Sequence, residues 1–245
     1  MAANGTSPTA HRAGFLNLVR ILRYCCELGV ACISVYAFSI DNFRRTPHEV
    51  AGLIDLLREK MEAIVRGVSF VNDAGIRILF VGNLALLDAP TRDLARQAEA
   101  ATVGNVRLVL IICIAYTSTD EILRCARAVC EEEWARAKSG IGSGSPGERV
   151  TVAEIERRMG FAGHPEPDIL VRTSGETRLS NFMLWQTGGC LLDAPASLWP
   201  ELSLPQILSV VIRYQRHYRY LQKARSKIQN YGLYNALYAN SYMID

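Results

Sequence analysis

Three short runs of this chain, residues 31–38, 76–81 and 106–115, are almost wholly apolar and rich in valine and isoleucine. A strand with one wet face alternates polar and apolar side chains, whereas a strand buried on both faces has no need to. Such runs belong inside a sheet covered on both sides. The segments between them follow a different period. Residues 15–28 place Phe15, Leu16, Val19, Leu22 and Cys26 at helical spacing, and residues 50–68 do the same through Leu53, Ile54, Leu57, Met61, Ile64 and Val65. Residues 91–101, 119–137 and 150–159 predict further helices, and 168–171 and 190–192 two more short strands. This alternation predicts one α/β domain with a central parallel sheet flanked by helices. The run SGIGSGSPG at 139–147 reads as a surface loop, because the alternation resumes after it.

Composition excludes several classes. A chain of 245 residues, 49% hydrophobic and 21% charged, can bury a sizeable core. A net charge of +3 is too mild to argue for nucleic acid. The seven cysteines are odd in number and show no CxxC spacing, so they read as small core residues in a reducing compartment. The first ten residues lack the apolar stretch of a signal peptide, and no window approaches the roughly 18 apolar residues of a membrane span.

In a parallel sheet the strand ends share one side, so polar clusters that follow different strands converge there. Two clusters fit that position. Ser39, Asp41, Asn42, Arg44, Arg45 and Glu49 follow the first apolar run; Arg172, Thr173, Ser174, Arg178 and Ser180 follow the strand at 168–171. Arginine's planar fork suits phosphate oxygens, and hydroxyls add short donors. The alternative is that Asp41, Asn42 and Thr46 only cap the next helix and the arginines are solvated. Two clusters at strand ends favour a phosphate ligand.

These same residues carry a family resemblance. VYAFSIDNFRR (35–45), the Gly82-Asn83 pair, AYTSTDEI (115–122), VRTSGETRLSNFMLWQ (171–186) and LWPE (198–201) resemble the cis-prenyltransferases. That family includes undecaprenyl diphosphate synthase and the eukaryotic dehydrodolichyl diphosphate and rubber-type synthases, and FSIDNF is similar to plant members. The resemblance spans residues 11–223, leaving 1–10 as a non-family start and 224–245 as a tail. It implies an undecaprenyl diphosphate synthase-like fold and condensation of isopentenyl diphosphate with an allylic diphosphate such as farnesyl diphosphate, with Mg2+. Position by position it implies Arg172, Arg178 and Ser180 on the isopentenyl diphosphate, and Phe38, Ser39, Asn42 and Arg45 at the reacting end. Asn42 and Arg45 would assist proton removal. His11 would lie near the allylic diphosphate, Glu49 would support the cluster, and the helices at 50–68 and 91–101 would wall a tunnel for the growing chain. It further implies work at the cytosolic face of the endoplasmic reticulum, in the dolichol pathway, as a homodimer or with a Nogo-B receptor-like accessory subunit.

The departures are as specific as the matches. Family members begin with a strand and a Met-Asp-Gly-Asn-Arg-Arg motif whose aspartate holds magnesium; here no aspartate precedes Asp41. Ala10 stands where the family has glycine, and Leu191 where bacterial members have a metal-binding glutamate. The expectation is a sheet missing its first strand and a metal site of unknown ligands. Two readings follow: a synthase, or a catalytically impaired isoform or interaction subunit that keeps only the isopentenyl diphosphate half-site. The two intact clusters favour the synthase.

Residues 213–227 interleave basic and aromatic side chains, but Val211, Tyr214, Tyr218 and Leu221 recur at helical spacing. This predicts a docked amphipathic helix with a solvated basic face, not an RNA-binding segment, and it allows a peripheral contact with anionic lipid. Trp134, Trp185 and Trp199 read as core anchors, and the histidines are too scattered for a metal cluster.

Overall fold

The parallel sheet predicted from the apolar runs forms from three of them. In the computed structural model, which describes residues 8–139 and 150–239 (side chains for 12–139 and 150–228), β1 (Cys32–Ser39), β2 (Ile76–Val81) and β3 (Leu108–Tyr116) lie parallel in the order β1-β3-β2. The glycine-rich run lies, apart from Ser139, outside the described residues. The chain divides into two compact units. One comprises residues up to 117 with 171–178 and 194–209; the other comprises 118–170, 179–193 and everything from 210 on.

In the first unit β3 is the central strand and the most apolar. Leu108, Leu110, Ile111, Cys113, Ile114, Ala115 and Tyr116 are all buried. Burying each of the larger ones contributes roughly 1.5–3 kcal/mol. Helix α1 (Pro8–Glu27) precedes β1 and packs on residues 199–201, where the Trp199 indole donates to Gly14 O at 2.9 Å. Gly14 suits this approach, since a Cβ there would lie 3.3 Å from the Trp199 ring. Helix α2 (Pro47–Val65) and the short α3 (Phe70–Asp73) lead into β2, and α4 (Ala89–Thr102) leads into β3.

Asp88 caps α4 by accepting from Thr91 N at 2.8 Å. Thr91, Ala95, Ala98 and Thr102 form its buried stripe, and their small size lets α4 lie close to β2 and α2. That closeness covers the outer edge of β2: Ile78 N donates to Thr102 Oγ1 at 3.0 Å and Phe80 N to Glu99 Oε1 at 2.6 Å. At the other edge β1 is only half-buried, apart from Phe38.

The second unit contains α5 (Ser118–Lys138), α6 (Val152–Arg158), β5 (Leu191–Asp193) and the greater part of α7 (Leu204–Ala239), which runs unbroken across position 223. Strand β4 (Ile169–Val171) pairs with β5 in a separate two-stranded sheet, so these two runs do not extend the main one. Each has three residues, and Leu192 in the middle of β5 is exposed; neither has the length of β1 to β3 or the burial of β2 and β3. Buried Glu121 accepts from Gly160 N at 2.9 Å and from Gln186 Nε2 at 3.3 Å. Trp134 is no core anchor: it is 61% exposed on α5, with the Lys138 ammonium over its ring. Cys25, Cys113 and Cys125 are buried as expected, whereas Cys130 is exposed. Among the described residues no helix is long and apolar enough to cross a membrane.

Candidate functional site

Ser39 and Tyr116 are paired in the β1–β3 register, and Val81 ends β2 on the same side. The register of β1 shifts between Tyr36 and Ser39, a bulge that re-aims the strand end. Beyond it residues Ile40–Arg44 make one 3-10 turn with a reciprocal cap. Asp41 N donates to Ser39 Oγ at 3.1 Å, and Ser39 N donates to Asn42 Oδ1 at 2.7 Å. Phe38 is buried, with its ring edge-on to Phe43 at 4.9 Å. The same arrangement recurs at the start of α2. Thr46 N and Oγ1 both donate to Glu49 Oε2, at 3.2 and 2.7 Å, and these bonds lower the Glu49 pKa. Glu49 is therefore committed to Thr46, as a support. The capping roles weighed for Asn42 and Thr46 are real, and Ser39 is the cap of the first turn.

Tyr36 links this turn to the second cluster. Its hydroxyl donates to Tyr116 O at 2.9 Å and bonds the Ser39 side chain. Burial pushes the phenol's pKa up; the Ser39 bond and the Arg172 charge pull it down, while Asp41 and Cys113 push it up. Tyr36, Ser39, Asp41 and Arg172 thus share one electrostatic neighbourhood in the first unit. Residues 172–178 turn through left-handed Ser174 and Gly175, held by Ser174 N to Ser197 O at 2.8 Å and Gly175 N to Pro195 O at 2.9 Å. The Arg172 guanidinium donates to Arg178 O, and Arg178 pairs with Glu176.

An open groove of about 460 Å³ begins where the Ile40–Arg44 turn ends. Phe43 and Arg45 stand with Val50 and Ile54 of α2 and with Leu86, while Arg58 and Asp88 add a polar portion. Helix α2 lines the groove on one side and residues 86–88 line it on the other, with no residue of α4 among the lining.

Ser180 lies in the second unit, in a stretch where Ser180, Asn181 and Met183 are all left-handed. Three such residues so close together cost backbone energy that the surroundings must supply. Asn181 accounts for part of it. Its Oδ1 accepts from Thr119 N at 3.0 Å and Thr119 Oγ1 at 2.9 Å, and its carbonyl accepts from Ser118 N at 2.8 Å, capping the start of α5. His11 falls in α1, but its side chain lies outside the described residues. Sequence reasoning missed Tyr36 and Asn181; the signal for Tyr36 was a polar-tipped ring inside an otherwise apolar strand.

Comparison with known proteins shows the family and the fold. The family model described as putative undecaprenyl diphosphate synthase matches residues 2–222. A dehydrodolichyl diphosphate synthase of Solanum lycopersicum is 45% identical over 231 residues, covering 89% of this chain and 80% of that protein. A rubber cis-polyprenyltransferase of Hevea brasiliensis is 42% identical, with 89% and 80% covered. Among solved structures, lavandulyl diphosphate synthase of Lavandula x intermedia superposes with a TM-score of 0.72 at 25% identity, covering 84% of this chain and 85% of that one. A probable undecaprenyl diphosphate synthase of Campylobacter jejuni shares the fold, with a TM-score of 0.67 at 21% identity over 83% and 89%. On the extent of the family match and the identity to plant synthases, the chain belongs to the undecaprenyl diphosphate synthase family, the cis-prenyltransferases, enzymes that transfer prenyl groups.

Proposed function

We infer that the chain condenses isopentenyl diphosphate with an allylic diphosphate, farnesyl diphosphate being the primer, and repeats the cycle to a long polyprenyl diphosphate such as dehydrodolichyl diphosphate. The observation that carries this reading is the meeting of two chemistries in one place. Arg45 and Phe43 close the polar turn and also open the apolar groove, as a substrate with a diphosphate head and a hydrocarbon tail requires.

In each cycle the allylic carbon–oxygen bond breaks and diphosphate leaves. The double bond of isopentenyl diphosphate attacks that carbon, and a proton lost from the adduct leaves a new cis double bond. Arg172 and Arg178 would hold the diphosphate of isopentenyl diphosphate through charge-assisted bonds. Asn42 and Arg45 are not bases at neutral pH. Their assistance to proton removal is to orient the diphosphate oxygen that takes it. With Oδ1 held by Ser39 N, the amide NH2 is the end of Asn42 left for substrate. His11 would lie near the allylic diphosphate.

Mg2+ is usually held by one or two carboxylates together with substrate phosphates. Among the described residues no three metal-ligating side chains converge. One exposed carboxylate, Asp41, stands beside Tyr36 and Ser39, only loosely paired with Arg44 at 3.9 Å. It fits that demand better than Asp193, which Arg213 holds at 2.8 Å. When bound, the ion would neutralise charge gathering on the leaving diphosphate. One relative, from Homo sapiens, is named as a subunit of a dehydrodolichyl diphosphate synthase complex, which supports a second subunit here: another copy or a Nogo-B receptor-like accessory chain at the endoplasmic reticulum.

The test is incorporation of radiolabelled isopentenyl diphosphate into butanol-extractable products, with farnesyl diphosphate and Mg2+, and chain length read by reversed-phase chromatography. Incorporation that needs both substrates and stops with chelator is expected. A folded chain that incorporates nothing, alone or with an accessory subunit, would make it an interaction subunit instead.

A further inference from the structure

Helix α7 contains six of the chain's 27 lysines and arginines and none of its 24 aspartates and glutamates. The rest of the chain, with 21 basic against 24 acidic residues, is net negative. Two of the six are engaged within the second unit: Arg213 with Asp193 and Arg225 with Asp168. The other four, Arg216, Arg219, Lys223 and Lys227, are exposed and have no ion pair among the described residues. At about 100° per residue these four fall with Ile212 and Tyr220 within an arc of about 120°, a straight stripe about 22 Å long. Ile212 is 47% exposed and Tyr220 is 73% exposed. The opposite side of the helix holds buried Val210 and Leu221 with partnered Tyr214 and Arg225.

We propose that this stripe is a docking face for an anionic lipid bilayer. Four unpaired cations complement acidic headgroups, and each adds to the attraction within a Debye length of the surface. Tyr220 and Ile212, set among them, supply the side chains that settle at a headgroup boundary. A single convex helix face suits a flat surface better than a nucleic-acid strand, for which binders provide a groove with stacking rings. A further reason for lipid rests on the proposed reaction: a long polyprenyl product cannot leave into water. The face itself is argued from α7 alone, and the assay reads binding without turnover, so either reading can fail while the other stands.

The experiment is co-sedimentation of the whole chain with phosphatidylcholine vesicles, pure or with 30 mol % phosphatidylserine. The probe variant carries Arg216→Glu, Arg219→Glu, Lys223→Glu and Lys227→Glu, with folding checked by circular dichroism. A second variant, Arg216→Lys with Arg219→Lys, keeps the charge. Expected are binding to the serine-containing vesicles only, loss in 0.5 M NaCl, and a drop on the order of a thousandfold or more in the reversed variant. The lysine variant should bind as the parent does. Equal binding by parent and reversed chain, no binding to either vesicle, or binding to single-stranded RNA in place of vesicles would overturn the proposal. If the reversed chain proves unfolded, the lysine variant and the salt dependence of the parent still decide it.

Discussion

The Tyr36 hydroxyl donates to the main-chain oxygen of Tyr116 at 2.9 Å, tying the end of β1 to the end of β3. The hydroxyl also bonds the Ser39 side chain and senses the Arg172 charge, so it braces the turn that follows β1. Tyr36→Phe leaves the ring and removes the hydroxyl. We expect about 1 kcal/mol lower stability, read as a urea midpoint, and a higher Michaelis constant for isopentenyl diphosphate. A variant with both quantities unchanged would show that the phenol positions nothing.

Arg172 and Arg178 are not equivalent. The first also braces its own turn by donating to Arg178 O, whereas the second is held by Glu176. Each alanine substitution should weaken isopentenyl diphosphate binding by about ten- to a hundredfold, a charge-assisted bond contributing about 1.5–3 kcal/mol. If Arg178 binds the diphosphate as proposed, Glu176 would compete with it, and Glu176→Gln should tighten binding several-fold. Calorimetric titration of the three variants checks this, and looser binding by Glu176→Gln would make the pair a support for the site instead.

Gly82 follows β2 at φ +148°, where an added Cβ would lie 1.9 Å from Ile114 O. The neighbour is backbone and cannot swing away. Gly82→Ala must therefore separate the ends of β2 and β3, breaking Asn83 N to Ala115 O at 2.9 Å. A loss above about 2 kcal/mol is expected from denaturant unfolding. A near-neutral result would mean that the two strand ends are not locked.

The main sheet was legible because β1, β2 and β3 are apolar runs. β3 and most of β2 are buried as such runs suggest, whereas β1, almost wholly apolar, is only half-buried at the sheet edge. β4 and β5 were legible as strands but not by partner, since three residues carry no register information. The polar clusters stood out by charge, but the second follows β4 of the separate two-stranded sheet, so the shared strand ends of one parallel sheet do not account for its position. Tyr36 was hidden because a tyrosine in a strand looks like core until its hydroxyl's partners are known. Trp134 misled for the opposite reason: size suggests burial, while its position on the exposed side of α5 decides against it.

Arg58 of α2 donates to Thr91 Oγ1 at 2.6 Å and also pairs with Asp88, the α4 cap. The bonds to Thr91, then the Arg58 bond, hold the Asp88 pKa down to about 2. A folded pKa below the unfolded value gives stability that is complete above about pH 4 and fades as pH falls through about 2. Asp88→Asn keeps the cap but loses the charge. The urea-midpoint difference between parent and variant should be modest at pH 7, as the pair is partly exposed, and should shrink between pH 4 and 2. A difference that does not change with pH would assign it to the cap alone.

The last prediction concerns alkaline pH and the second unit. Asp168 accepts from Tyr214 Oη at 2.6 Å and from Arg225 at 2.9 Å, and Arg225 also donates to Gly189 O at 3.1 Å. Gly189 is required here, since a Cβ would lie 2.3 Å from the Arg225 side chain. Burial, then the bond to Asp168 and its charge, push the Tyr214 phenol up to about 12. For a raised pKa the sign reverses: the stability is complete below the unfolded value near 10 and disappears as pH rises through about 12. Tyr214→Phe should cost about 1 kcal/mol at neutral pH, and the gap between parent and variant should close between pH 10 and 12. The chain has ten tyrosines, so its own alkaline curve cannot isolate this one, but the difference between the two chains can. Urea midpoints at pH 8, 10, 11 and 12 provide it. A gap that persists at pH 12 would mean that the phenol stays neutral without help from Asp168, and a gap that is absent at pH 8 would mean that the bond adds nothing.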